Sequence, residues 1–446
     1  MRSVKAASIP ALPLVLAVAL LSGCNSWMGA KEDPPLPGDR VSVLSFDRQL
    51  QADPALAQVP MALPPEQTNS EWAFAGGVNS HSGGAYSLAA EPHEVWHKDI
   101  GDGTDSDRPL IATPIISNGI VYAMDSGAQI TAVNSDNGKE LWSVRASPRR
   151  LVDKATGGGL AMANGKLFAT IGYGEVAAID PSNGQVLWRT PMPNPLRGSP
   201  TSDGARIYVV GIDNELTALS ADSGQILWKH SGIAETTGLL GAPSPAIGPG
   251  FVLVAYSSGE LYALNAENGR ELWSDSLSGS RRDSGVLTIA AIRGMPALTA
   301  DGSIAVAISN SGRMVAIDTR SGQRLWDQRI GGNQMPWIAG NTVFMIDNTA
   351  QLTAINLRDG RIRWINQLAQ WEQPKEHSGL IAWYGPVLAG GHLWLTNSEG
   401  RMIAYDPSSG AEQARFKLDD TSNRPPVVAG GTLYTLDDGA ELTAWR

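Results

Sequence analysis

A thirteen-residue unit recurs along this chain and leaves few folds open to it. Seven copies align without gaps, at residues 130–142 (ITAVNSDNGKELW), 176–188 (VAAIDPSNGQVLW), 216–228 (LTALSADSGQILW), 261–273 (LYALNAENGRELW), 314–326 (MVAIDTRSGQRLW), 352–364 (LTAINLRDGRIRW) and 402–414 (MIAYDPSSGAEQA). An eighth begins at Leu442 as LTAW and stops at Arg446. The first half of each unit alternates with period two, the mark of a strand with two distinct faces. A turn of the form Asn/Asp-x-x-x-Gly follows, because Asn and Asp bond their own backbone and Gly accepts positive φ. Leu-Trp then opens a return strand. Upstream stands a Gly-x-aromatic or aliphatic strand, and before that a proline marks a first strand, at Pro114, Pro200, Pro245, Pro296, Pro336, Pro386 and Pro426.

Four short antiparallel strands per unit, repeating every 40–50 residues or so, are the pattern of a β-propeller. The repeated tryptophans, Trp96, Trp142, Trp188, Trp228, Trp273, Trp326 and Trp364, are expected to dock each blade on its neighbour, with Ala414 in the eighth slot. An open array would leave raw sheet edges. The segment around Trp96 supplies the strand that the C-terminal repeat lacks. The expected fold is therefore all-β: an eight-bladed propeller of four-stranded antiparallel blades, closed by N- and C-terminal strands in one blade.

Charged residues make up 17% of the chain and the net charge is −10, so the global field is the wrong sign for a nucleic-acid binder. One cysteine excludes a disulfide framework, a cysteine zinc site and a CxxC redox centre. That cysteine, Cys24, ends the run Leu21-Ser22-Gly23-Cys24, after a basic start (Arg2, Lys5) and an apolar stretch too short and interrupted to span a bilayer. The run resembles a bacterial lipobox, in which the thiol is acylated and the preceding bond cut. Residues 1–23 are read as a lipoprotein signal peptide and 24–70 as a lipidated, proline-rich tether. Residues 71–446 are read as the propeller. Asn25, rather than Asp, after the cysteine favours the outer membrane in the sorting scheme that this resembles.

Ala178, Asp180, Gly184 and Trp188 match the tryptophan-docking motif of quinoprotein dehydrogenases, and residues 72–77 (WAFAGG) resemble the opening segment of such domains. The enzymes of that family stack a quinone against a vicinal cysteine pair and bind Ca²⁺ through acidic and amide oxygens. This chain has no second cysteine, and no acidic cluster in it matches that site. No catalytic residue, cofactor or metal ligand is therefore assigned. Lipobox, proline-rich tether and eight repeats without a catalytic set together resemble the BamB family of outer-membrane assembly lipoproteins. That resemblance implies a non-enzymatic scaffold, lipid-anchored on the periplasmic face of the outer membrane. Its implied partner is the POTRA region of a BamA-like barrel protein, and its implied clients are unfolded outer-membrane proteins. The alternatives kept open are a periplasmic quinoprotein oxidoreductase and an envelope ligand-binding propeller.

The length differences between repeats fall after the tryptophan strand, in connections that all emerge on one face of a propeller. Long ordered loops on a rigid scaffold usually carry function. The partner-binding family carries Leu-x-Leu-Arg-Gly after the third docking Trp. Here the matching loop holds Leu239, Leu240 and Gly241, with Leu240 in the arginine's place. The next loop offers Arg281, Arg282, Asp283 and Arg293 as replacement contacts. The connection of residues 365–385 brings Trp371, Trp383 and Tyr384, side-chain types enriched in interface hot spots. All of these are expected on the working face.

Overall fold

The computed structural model describes residues 50–57, 59–146, 158–196, 198–233, 243–278 and 291–446. Eight four-stranded antiparallel sheets account for nearly all of the regular structure. Blade 1 runs Ile115–Ser117, Ile120–Met124, Gln129–Asn134 and Glu140–Arg145, and blades 2 to 7 repeat that order. Blade 8 takes Val427–Ala429, Thr432–Leu436 and Glu441–Trp445 from the C-terminus and Glu94–Asp99 from the N-terminal side. The two ends meet in register, Trp96 opposite Ala444 and His97 opposite Thr443. His93 and Arg446 exchange backbone hydrogen bonds at 2.7 and 2.9 Å. The ring closes as the repeat demands.

In each blade the second and third strands are buried on both sides, while the fourth is half exposed and forms the rim. That rim strand carries the docking Trp. The seven indole N–H groups each donate to a carbonyl in the 3→4 turn of the next blade, at 2.7–3.3 Å. The acceptor is always the residue after the turn's Asn, Asp or Ser: Ser135, Pro181, Ala221, Ala266, Thr319, Leu357 and Pro407. Each tryptophan side chain also packs on that turn's glycine. A Cβ at Gly138, Gly184, Gly224, Gly269, Gly322, Gly360 or Gly410 would lie 2.5–2.8 Å from it. Glycine is required twice over, for contact and for a φ of +67° to +76°. Trp96 and Trp326 are buried; the other five are partly exposed, so the area each removes from water is less than a full ring.

A β-bulge precedes the docking position in every blade. Ala132 faces Trp142 and Val133 faces Glu140, leaving Leu141 as the extra residue. The same shift leaves out Leu187, Leu227, Leu272, Leu325, Arg363, Gln413 and Val95. A bulge twists the rim away from flat pairing and so blunts a free edge.

Proline opens the first strand in six blades as expected, immediately before Ile115, Thr201, Ala246, Ala297, Trp337 and Val427. Blade 7 departs from this. Its first strand is Trp383–Ala389, with Pro386 inside it and the register broken between Tyr384 and Val387. Proline has no N–H to donate, so the ladder skips it.

The segment before blade 8's first-in-sequence strand plugs the axis. It bonds in turn to the innermost strand of every blade: Asn69 to Val428, Trp72 to Ile116, Ala73 to Met162, Asn79 to Ser202 and Ile247, Ser80 to Leu298, Gly84 to Ile338, and Tyr86 to Leu388. Upstream, a 3₁₀ turn at Pro54–Leu56 buries Leu56 against the rim of blade 6. Asp53 pairs with Arg361 at 3.3 Å there, and Arg363 donates to the Val59 carbonyl.

Candidate functional site: the axial cavity and the connection face

With the plug filling one end of the axis, the other end is a blind cavity. Its described walls are the residues just before, or at the start of, the first strands: Thr113, Gly158, Ser199, Ser244, Met295, Met335, Tyr384 and Arg424 among them. These are the points where the connections between blades enter. The cavity therefore opens on the loop-rich face anticipated from repeat lengths.

Its floor is aromatic. Trp72 and Trp337 lie parallel, 6.1 Å apart at 11°, with Tyr86 set edge-on to both. Trp337 donates to the Gly84 carbonyl, but the Trp72 indole N–H has no partner. His81 lies buried in the plug. Its Nδ1 meets the Pro296 carbonyl at 2.9 Å, its Nε2 is unpartnered, and burial pulls its pKa down to about 4.

The wall holds two arginines. Arg424 is 2% exposed, pairs with Asp438 at 2.9 Å and also donates to the Leu436 and Leu110 carbonyls. Its charge is thus neutralised where it is buried, as a buried ion requires. Arg293 is exposed and has no ion-pair partner among the described residues. Tyr384 donates to Asn423 at 3.0 Å. Burial raises its pKa, and the positive charge of Arg293 opposes that rise.

The anticipated contact residues divide. Arg293 and Tyr384 come together at the cavity. Trp371 sits on a two-stranded hairpin, Trp371–Gln373 with Ser378–Leu380, that stands out from the connection face, and its ring lies 5.8 Å from that of His377. Trp383 is a correction. It is buried in the core of blade 7, its indole donating to Ala369 at 2.8 Å, because the strand begins earlier than its proline suggested. That ring holds the base of the hairpin and offers no surface. Cys24, Leu239, Leu240, Gly241, Arg281, Arg282 and Asp283 lie outside the described residues. Trp72, Trp337 and Arg424 are cavity residues that the repeat does not flag, since they stand outside its thirteen positions.

The architecture defines a class: eight-bladed propellers locked by a repeated tryptophan. The family profile described as outer membrane protein assembly factor BamB matches residues 78–152, 127–366 and 369–445, and the chain belongs to that family. BamB of Escherichia coli K12 is 23% identical over 383 residues, covering 77% of this chain and 86% of that protein. BamB of Salmonella typhimurium is 24% identical over 362 residues, covering 80% and 89%. An uncharacterised protein of Rickettsia prowazekii is 26% identical over 260 residues, and the match spans 58% of this chain and 62% of that one. Among solved structures, BamB from Moraxella catarrhalis superposes with a TM-score of 0.66 at 16% identity, over 80% of this chain and 99% of that one. The quinohemoprotein alcohol dehydrogenase of Comamonas testosteroni superposes with 0.65 at 12%, over 84% and 80%. At such identities the structures share the fold alone.

The dehydrogenase neighbour raises the question of a quinone–calcium centre. The donor set does not fit one. No described residue lining the cavity is a carboxylate, the hard ligand Ca²⁺ prefers. Among the described residues no cluster of three or more His, Cys, Asp or Glu is placed to hold a metal. Cys24 is the chain's one cysteine, so a vicinal pair cannot form.

Proposed function

We propose that the protein is a non-enzymatic scaffold lipoprotein of the outer-membrane β-barrel assembly machinery. It is anchored through Cys24 on the periplasmic face of the outer membrane and binds the POTRA region of a BamA-like protein through its inter-blade loops. The observation that carries this reading is the family match around the ring, in a propeller whose described cavity walls hold no carboxylate. The presentation of loops on one rigid face supports it, as does the position of Arg293 and the hairpin bearing Trp371 on that face. Residues 239–241 and 281–283 belong to connections of the same kind and are the first candidates for contact.

Mild detergent extraction of tagged protein from its own envelope tests this reading. A barrel protein with POTRA domains is expected to co-purify, and the paired change Leu239→Ala, Leu240→Ala or the charge reversal Arg281→Glu, Arg282→Glu to reduce its recovery. A normally lipidated, folded protein that brings down no such partner overturns the proposal.

A further inference from the structure

The axial cavity has unmet hydrogen-bonding capacity that is mostly donating. Trp72 is only 1% exposed and its indole N–H is unpaired. A buried donor left unpaired is costly, so a ligand or water that accepts from it is favoured. The Thr113 hydroxyl and the Asn333 carbonyl oxygen, both at the wall, also lack partners. Arg293 adds a cation with no ion-pair partner among the described residues, while Arg424 is already satisfied by Asp438. The described lining contains no acid, in a chain whose net charge is −10. Apart from Gln334, Asn423, Tyr384 and two serines, the remaining surface is apolar or small, with Ala75, Ile111, Met295, Met335, Val387 and glycines.

We propose that this cavity binds a carboxylate borne on an apolar body, the carboxylate meeting Arg293 and the body entering toward the Trp72 floor. The reasons are complementarity of sign, the planar guanidinium fork that suits a carboxylate, and apolar walls around a few polar groups, the usual composition of a small-ligand pocket. Two sources carry this chemistry, a free organic acid and the C-terminus of an apolar peptide. The site shares Arg293 with the face proposed to meet the partner, but it is tested on the purified full chain alone, so the two readings fail separately.

Calorimetric titration with naphthalene-2-carboxylate and with naphthalene-2-carboxamide isolates the charge, since the bodies are the same. A parallel pair, an acetylated apolar tripeptide with a free or an amidated C-terminus, distinguishes the sources. In at least one pair the acid is expected to saturate and to bind about tenfold or more tightly than its amide, the factor a charged hydrogen bond carries. Arg293→Gln is expected to remove that preference and Arg293→Lys to keep part of it. Trp72→Phe, which deletes only the indole N–H and fused ring, is expected to weaken the acid further. Equal affinity of acid and amide in both pairs, no saturable binding of either acid, or a preference unchanged in folded Arg293→Gln overturns the proposal.

Discussion

Single positions in this chain are fixed by what lies within about three ångströms of a missing atom. Gly269 and Gly430 both hold positive φ, +72° and +60°. A Cβ at Gly430 meets nothing within 4 Å, whereas one at Gly269 falls 2.5 Å from the Trp228 ring. Gly430→Ala should therefore cost only the left-handed backbone, about 1–2 kcal/mol. Gly269→Ala should add about 1–3 kcal/mol of overpacking. Urea unfolding of the two variants measures the difference, and equal losses would remove the docking contact from the explanation. His81 gives a pH signature. Its folded pKa of about 4 lies below the ordinary 6.5, so protonation favours the unfolded chain. Above pH 6.5 the group is silent. As pH falls from 6.5 to 4 the fold should lose about 3 kcal/mol on its account, with no further loss below that window. His81→Asn keeps a residue that tolerates the φ of 55° there and should flatten this part of the profile. Stability–pH curves that run parallel for the two proteins would refute the assignment.

At the scale of the element, the unit of stability is a tryptophan strand plus the next blade's turn. Trp228→Ala should cost about 3–5 kcal/mol, from lost packing and an abandoned carbonyl. The slot held by Ala414 explains itself in these terms. The blade that would receive a ring there is blade 8, whose third and fourth strands are joined by hydrogen bonds between chain ends and not by a turn. No Asn/Asp-x-x-x-Gly acceptor exists at that seam. Phe416 covers it instead, 5.8 Å from Trp394 and 5.8 Å from Trp445. Ala414→Trp should accordingly leave the denaturation midpoint unchanged or lower it, while a gain of a kilocalorie or more would mean that the turn is dispensable. This locality is also why the blades were legible in the sequence: turn, glycine and ring recur at fixed spacing because each blade reads its neighbour. The plug was not legible. It touches every blade mainly through backbone hydrogen bonds, which leave no side-chain pattern. Trp383 misleads for a related reason, because Pro386 sits inside its strand and mimics a strand start.

The whole molecule is a ring whose stability depends on one non-local event, the pairing of Glu94–Asp99 with Glu441–Trp445. Neighbouring blades follow one another in sequence, whereas this pairing, inside blade 8, joins positions some 350 residues apart, so loop closure there is the entropically expensive step. The candidate site depends on this step as well, since Arg424 and Asn423 on blade 8 and Thr113 on blade 1 face one cavity only when the circle is shut. Two deletions of similar size separate closure from mere loss of residues. Removing residues 440–446 takes away the strand that bridges both ends, exposes a raw edge on Thr432–Leu436 and unseats Trp96. Replacing residues 371–380 by a short Gly-Ser linker removes a hairpin that pairs only with itself. The hairpin deletion should keep cooperative unfolding within about 1 kcal/mol of the full chain. The C-terminal deletion should abolish the sharp transition and turn the product toward aggregation through its open edges. Chemical denaturation followed by tryptophan emission, with size-exclusion chromatography on each product, makes the comparison. A monomeric, cooperatively folding C-terminal deletion would mean that the remaining seams hold the blades without closure.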